Sequence, residues 1–174
     1  MSSMKTFIVL GMHRSATSLI AKGLYDNEVS IGDKLIGPHL SNPYGHWEDI
    51  DFVRLNDEIL SASGGSWDKP PKEKSIIEVS SLFEGKIEKL IKEKQKEPFW
   101  GWKDPRTTLT IRLYLKYLED PHFIVCFRDP AEVARSLARR DKWITRGRAL
   151  GLARIYNERL LRFLQEWTSG KYQL

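Results

Sequence analysis

The sequence is poor in cysteine and contains no long hydrophobic run. Its one cysteine, Cys126, lies inside an apolar segment, which excludes an internal disulfide and predicts an inert thiol. No run approaches the roughly 18 apolar residues that a membrane span needs. The apolar residues 7–10 are too few for the h-region of a signal peptide, and polar residues follow them at once. We therefore expect a cytoplasmic protein of a reducing compartment with no membrane partner.

Internal repeats and low-complexity tracts are also absent. With 174 residues, of which 41% are apolar and 29% charged, the chain is predicted to form one ordinary globular domain over residues 1–174. The formal net charge of +5 favours an anionic partner, although solvated basic helices would give the same total. Basic and acidic residues alternate over 72–97 and no readout motif occurs, so nucleic-acid binding is not expected.

The hydrophobic pattern predicts an α/β fold. Short apolar runs predict buried strands at 7–10, 99–103 and 123–127. Amphipathic stripes predict helices over 17–25, 50–60, 82–97, 105–118, 128–140 and 147–167. Strands that alternate with helices indicate a central parallel sheet in a three-layer α/β/α arrangement. The stretch 61–74, rich in Gly, Ser, Pro and Lys, predicts a flexible insert or lid.

Polar clusters follow each of the three predicted strands, at 11–18, 103–106 and 128–129. The carboxyl ends of parallel strands meet at one edge of a sheet, and ligands of such folds bind there. We therefore expect the three clusters to converge on a single site.

The first cluster, 11-GMHRSATS-18, is close to a phosphate-binding P-loop, G-x-x-x-x-G-K-[ST], but has Thr17 in place of the lysine. Its strand-to-helix context still suits anion binding by backbone N–H groups and a helix N-terminus. The missing lysine argues against ATP hydrolysis, whereas the planar guanidinium of Arg14 suits a phosphate or sulfate face. The alternative is a helix N-terminus with hydroxyl caps and no ligand.

The second cluster is 128-RDPAEVARS-136. Arg128 at a strand end and Ser136, two helical turns further on, can together grip a separate phosphate. Asp129 and Glu132 have the spacing of a capping box around the start of the helix. In the alternative interpretation, Arg128 pairs with one of these two carboxylates and Ser136 faces solvent.

Together these clusters resemble the sulfotransferase family. The segment 11-GMHRSATSLI-20 is similar to its 5′-phosphosulfate loop, and 124-IVCFRDPAEVARSLARR-140 to its 3′-phosphate motif. The stretches 42-NPYGHWED-49 and 100-WGWKDPR-106 resemble segments of bacterial, tyrosylprotein and carbohydrate sulfotransferases. The four motifs occur in the family's order within 5–167. The resemblance implies a fold like that of P-loop nucleoside-triphosphate hydrolases.

The resemblance also implies the reaction. The enzyme would move a sulfuryl group from 3′-phosphoadenosine 5′-phosphosulfate (PAPS) to a hydroxyl or amine of a small molecule, glycan or peptide. No metal would be needed, which agrees with the missing P-loop lysine. Donor-binding residues would be His13, Arg14, Ser15, Ala16, Thr17 and Ser18 at the 5′ end, with Arg128 and Ser136 at the 3′-phosphate.

Catalytic roles follow from the chemistry of the donor. Arg14 and Lys103 are the candidate cations for the bridging oxygen of the leaving phosphate, and Glu48 is the candidate base for the acceptor hydroxyl. His13 and His46 are competing bases, and Glu48 could instead cap the following helix. Asp104 is predicted to be a helix cap. Arg135, Arg139 and Arg140 would form either a helix face near the donor phosphates or a solvated face.

Two departures from the family matter. Ala16 stands where the family has a glycine, and a positive φ there would cost about 1 kcal/mol. Family members also continue past the long helix into another strand and a glycine-rich loop over the nucleotide. We expect this chain to lack both, which would weaken donor binding and leave an exposed sheet edge that self-association could cover. A non-catalytic nucleotide-binding domain and a degenerate P-loop kinase are the alternative functions.

Overall fold

A computed structural model describes residues 4–38 and 45–170. Its strands are β1 (Lys5–Gly11), β2 (Phe99–Lys103) and β3 (Pro121–Cys126). They form a parallel sheet in the order β2-β1-β3, so the first strand is central and pairs with both others. The predicted α/β fold with a parallel sheet and flanking helices is thus confirmed.

Most predicted helices are present, with small shifts at their ends. The helices are α1 (Thr17–Asp26), α2 (Ile50–Ala62), α3 (Glu73–Glu78), α4 (Glu84–Lys94), α5 (Thr107–Thr110), α6 (Pro130–Arg140) and α7 (Arg146–Thr168). Asp129 accepts a hydrogen bond from the backbone N–H of Glu132 at 2.9 Å and Pro130 begins α6. This is the N-cap half of the predicted capping box, whereas the Glu132 carboxylate accepts from Arg128 and Arg135.

The continuous helix predicted over 105–118 is wrong. Helix α5 has only four residues and is followed by two short 3₁₀ helices, Ile111–Leu113 and Leu115–Tyr117. The threonine hydroxyls of this segment bond to distant groups: Thr108 to the backbone of Gly11, and Thr110 to the side chain of Asn56. These tertiary bonds, with the low helix propensity of β-branched residues, account for the broken helix.

The role predicted for Asp104 is also corrected. Arg106 is the residue that precedes α5, and its backbone N–H donates to Asp104 Oδ1 at 3.1 Å. Asp104 therefore stabilises the turn that leads into α5 rather than capping the helix itself.

Apolar residues pack on both faces of the sheet. On one face, Ile8 of β1 and Trp102 of β2 join the larger cluster with α2, α4, α6 and α7, where the Trp102 ring stacks on Phe52 at 4.3 Å between centroids. On the other face, Phe7 packs against a smaller cluster that includes Ala21 of α1. This arrangement is compatible with three layers.

The strand ends are packed tightly where β1 leaves the sheet. A Cβ on Gly11 would lie 2.7 Å from the backbone oxygen of Cys126, so only glycine lets β1 and β3 approach this closely. The Cys126 side chain is buried, and burial raises the pKa of its thiol, as expected for an unreactive cysteine. The tight packing therefore fixes the backbone position of Gly11, from which the loop before α1 begins.

The stretch 61–74, predicted to be a flexible insert, connects α2 and α3. Tyr156 of α7 donates its hydroxyl hydrogen to the backbone oxygen of Trp67 at 2.9 Å, and Arg148 pairs with Asp68 at 2.5 Å. These contacts tie the segment to α7, and its mobility stays a prediction.

The outer side of β3 is paired with no strand in the described ranges 4–38 and 45–170. Self-association through this edge stays a prediction. None of the helices described here combines the length and apolar character needed to cross a bilayer.

Candidate functional site

A cavity of about 390 Å³ lies where the three polar clusters meet. The loop before α1 and the start of α1 form one wall, and residues 45–48 form a second. The remainder comes from the segments that follow β2 and β3 and from the end of α6. Its lining consists of His13, Arg14, Ala16, Thr17, Ser18, Leu19, Lys22, Gly45, His46, Trp47, Glu48, Lys103, Pro105, Arg128 and Arg140. The structure thus brings the three strand-end clusters together.

Backbone strain is concentrated around this cavity. Arg14, Ala16 and Trp47 have φ values of 70°, 65° and 55°, and they are three of the five non-glycine residues with positive φ in the described chain. Such residues cost on the order of 1–3 kcal/mol each and cluster at functional sites. The positive φ anticipated for Ala16 is therefore present, with its cost.

Helix α1 begins at this strained loop without a side-chain cap. Ala16 is its N-cap residue and offers no oxygen to the first-turn N–H groups. The hydroxyl caps of the ligand-free interpretation are therefore not observed. Ser15 and Thr17 are buried, and Ser18 Oγ donates to the backbone oxygen of His46 at 3.1 Å. An uncapped helix N-terminus at a cavity is suited to an anion.

Glu48 and Lys103 form a buried ion pair in the cavity wall. The Lys103 Nζ lies 2.5 Å from Glu48 Oε1, and their side chains are 1% and 9% exposed, in that order. Lys103 Nζ also donates to Ser18 Oγ at 3.3 Å. Burial raises the pKa of Glu48 and lowers the pKa of Lys103, because desolvation disfavours both charges. Two predicted catalytic residues are thus in direct contact.

The alternative role of Glu48 as a helix cap is wrong. The adjacent residue, Asp49, is the N-cap of α2 and accepts the backbone N–H of Asp51 at 2.9 Å. Asp49 is itself held by Lys94 of α4, whose Nζ lies 2.6 Å from Asp49 Oδ2. The cap leaves the Glu48 carboxylate available for the cavity.

Arg14 connects the cavity to the second predicted phosphate site. Its Nε donates to Ser136 Oγ at 2.9 Å, and Ser136 is only 9% exposed. The alternative interpretation, in which Ser136 faces solvent, is therefore wrong. A second cavity, of about 410 Å³, is lined by Arg14, Ser136, Arg139 and Arg140.

Arg128 pairs with a neighbouring carboxylate, as its alternative interpretation predicts, but it also stays at the cavity. Its Nε and Nη2 donate to Glu132 Oε2 at 3.1 and 2.9 Å, so the pairing with a neighbouring carboxylate is present. Its Nη1 donates to the backbone oxygen of Arg14 at 3.1 Å, which keeps the guanidinium at the cavity rim. Arg135 pairs with Glu132 at the exposed surface.

Cations outnumber anions around the first cavity. Among the described residues, its lining includes Arg14, Lys22, Lys103, Arg128 and Arg140 with one carboxylate, Glu48. Carboxylates outside the lining pair with three of these cations: Asp26 with Lys22, Glu132 with Arg128 and Asp141 with Arg140. Burial and the nearby Arg140 and Arg128 lower the pKa of Arg14. Like charges gathered in a partly buried cleft attract a polyanion.

His13 is a buried, uncharged member of the site. The residue is 7% exposed, and its Nε2 has no hydrogen-bond partner among the described residues. The ring contacts Trp67 with centroids 4.6 Å apart. Burial, followed by the charges of Arg106 and Arg140, lowers its pKa well below the ordinary value. His13 is therefore neutral at neutral pH.

We expect His13 to make stability depend on pH. Its pKa is lowered on folding, so the unfolded chain binds the proton more readily. The stabilising contribution is therefore complete above about pH 6.5 and is lost as pH falls below it. Relative to His13→Gln, the wild type should lose up to about 1.4 kcal/mol of unfolding free energy per pH unit in that range. Urea titrations at pH 7.5 and 5.5 measure this difference, and equal pH slopes would refute it.

Arg106 and Asn56 are part of the site but were not predicted as site residues. Arg106 Nη1 lies 2.9 Å from Asp104 Oδ1 and 3.8 Å from Glu48 Oε2. Asn56 of α2 donates to the other oxygen of Asp104 at 2.8 Å. Arg106 belongs to the quoted 100-WGWKDPR-106 stretch, but nothing in the sequence indicates its contact with Glu48, 58 residues earlier.

No group of three or more His, Cys, Asp or Glu side chains is placed to hold a metal ion in the described part of the chain. No model of a known protein family, no curated protein and no solved structure matches this chain.

Proposed function

We propose that this protein is a PAPS-dependent sulfotransferase with a P-loop-like fold. The observation that carries the proposal is the buried Glu48–Lys103 pair in the wall of a cavity rich in cations. A carboxylate whose pKa burial raises is a suitable general base, and a lysine beside it is a suitable cation for a leaving phosphate. This combination fits sulfuryl transfer better than simple anion binding.

The two cavities suit the two anionic ends of the donor. Arg14 and Arg140 line both of them, so a single elongated ligand can contact both groups of residues. The 5′-phosphosulfate would lie against the uncapped N-terminus of α1 and the loop 13–18. The 3′-phosphate would bind Ser136 and Arg128. In this complex, Ser136 exchanges its bond with Arg14 for the phosphate.

The reaction is an in-line transfer. The acceptor oxygen bonds to the sulfur and gives its proton to Glu48, while the bond from the sulfur to the 5′-phosphate oxygen breaks. The phosphate then gains negative charge, which Lys103 and Arg14 balance. Positioning and charge stabilisation supply most of the rate in this type of transfer. Lys103 must turn from Glu48 toward the donor, and this frees the carboxylate to accept the proton.

The first test is binding of the product-like nucleotide adenosine 3′,5′-bisphosphate. We expect it to raise the melting temperature without magnesium, by the equivalent of about 2.7 kcal/mol at one hundred times its Kd. Arg128→Ala should abolish the increase, because the variant removes a cation at the rim of the donor site. Arg154→Ala is the matched control, since that arginine is exposed on α7 and pairs with Glu158.

The outcomes separate the competing functions. No shift at millimolar bisphosphate would overturn the donor assignment. Stabilisation by ATP that depends on magnesium would favour a kinase. Bisphosphate binding without conversion of PAPS, tested across phenols, sugars and tyrosine peptides, would favour a non-catalytic binding domain.

A further inference from the structure

Arg106 is a partly buried arginine that no role in donor binding explains. Its side chain is 13% exposed, and three carboxylates surround it. Nε donates to Asp57 Oδ1 at 2.7 Å, and Nη1 donates to Asp104 Oδ1 at 2.9 Å. The third carboxylate is Glu48, whose Oε2 lies 3.8 Å from Nη1.

The two oxygens of Glu48 therefore face different cations. Oε1 is bonded to Lys103, and Oε2 faces the guanidinium of Arg106. The two cations differ in their freedom. Lys103 has a flexible stem and a single point charge, whereas the fork of Arg106 is held by Asp57 and by Asp104. Asp104 is completely buried and is fixed in turn by Asn56.

This difference matters when the site is filled. Once Lys103 turns toward the donor, Glu48 loses its nearest counter-ion while its carboxylate stays buried in the cavity wall, away from water. A buried carboxylate without a cation takes up a proton, and a protonated carboxyl group is not a base. Arg106 remains in place because Asp57 and Asp104, which hold its fork, do not line the donor cavity, and a guanidinium does not deprotonate in proteins.

We propose that Arg106 is a positioning residue that keeps Glu48 ionised and oriented while Lys103 serves the donor. The proposal rests on the proposed function for what Lys103 turns to. The effect of Arg106 on Glu48, however, is a property of the unliganded protein and can be measured without any substrate.

The other charges that face Glu48 do not replace Arg106. Lys103 at the end of β2 is the cation that leaves, and Asp104 of the same turn opposes ionisation of Glu48. From α1, the uncharged hydroxyl of Ser18 accepts a hydrogen bond from Lys103 Nζ at 3.3 Å. Arg106 is thus the stationary cation among the groups that act on this carboxylate.

The test compares Arg106→Gln with wild type by carboxyl ¹³C NMR of glutamate-labelled protein, with the signal assigned by Glu48→Gln. We expect the pKa of Glu48 to rise by more than it does in the control variant, because an opposite charge 3.8 Å from its Oε2 is removed. Arg148→Gln, which removes a partly buried arginine remote from Glu48, should leave it within about 0.2 units. In turnover, the acidic limb of the pH profile should move upward with Arg106→Gln while the bisphosphate Kd changes less than threefold.

Each outcome decides one claim. An unchanged Glu48 pKa in folded Arg106→Gln overturns the role of Arg106. If that variant does not fold, Arg106→Lys replaces it: the fork is lost while the charge stays, and a smaller upward shift is expected, so no shift again overturns the role. Failure of the bisphosphate to bind wild type overturns the proposed function instead, and the NMR result for Glu48 stands apart from it.

Discussion

Replacing Glu48 by glutamine should lower turnover by about 10²-fold or more, the usual contribution of a general base. Glutamine keeps the size and shape of the side chain but cannot accept the proton of the acceptor hydroxyl. Donor binding should be retained, because Glu48 is the one carboxylate among the described residues of the cavity lining, and the change leaves every cation of that lining in place. Steady-state rates with PAPS and the bisphosphate Kd together measure the two effects.

The pH profile gives the same prediction a second form. Burial raises the pKa of Glu48, and a base works only when deprotonated. The ordinary pKa of a glutamate side chain is about 4.3. The wild-type rate should therefore begin to fall at a pH above that value as the pH is lowered. Glu58→Gln, at an exposed position of α2, is the matched control and should keep both the rate and the profile. Unchanged turnover in Glu48→Gln would move the role of base to His13 or His46.

The largest expected loss of stability comes from Asn56→Leu. Asn56 is completely buried and joins α2 to the segment 104–114. Its Nδ2 donates to Asp104, and its Oδ1 accepts from Thr110 at 2.6 Å and from the Tyr114 hydroxyl at 2.9 Å. Leucine preserves volume but leaves a buried carboxylate and two hydroxyls without this partner. We expect a loss of about 3–5 kcal/mol in the free energy of unfolding.

Urea titration followed by far-UV circular dichroism measures this loss. Asn27→Ala removes an exposed asparagine whose side chain bonds only to the backbone of Gly23, and it should cost less than about 1 kcal/mol. A loss below 1 kcal/mol for Asn56→Leu would mean that the network contributes little to stability.

The sequence predicts those parts of the fold that local patterns determine. The apolar runs of β1, β2 and β3 and the N-cap bond of Asp129 each depend on a few neighbouring residues, and the structure contains them. The prediction of a continuous helix over 105–118 is wrong because the structure of this segment depends on Asn56, a residue about fifty positions away. A helical stripe does not reveal that threonine hydroxyls are engaged elsewhere.

The site shows the same division. Strand order is enough to predict that residues 11–18, 103–106 and 128–129 meet, since parallel strands end at one edge. The contact between Glu48 and Lys103 spans 55 residues, and nothing in either segment indicates it. The contact of Arg106 with Glu48 depends on the orientation of a turn, which a pattern of residue types does not encode.

The crowding of Arg14, Arg128 and Arg140 has a practical consequence. Their mutual repulsion is present in the folded chain alone, and any multivalent anion that enters the cleft relieves it. Phosphate or sulfate in a storage buffer would therefore raise the apparent stability of the purified protein and, under the proposed function, would compete with the nucleotide donor. Titrations carried out in such buffers would report weakened affinities, and a chloride medium is the appropriate choice.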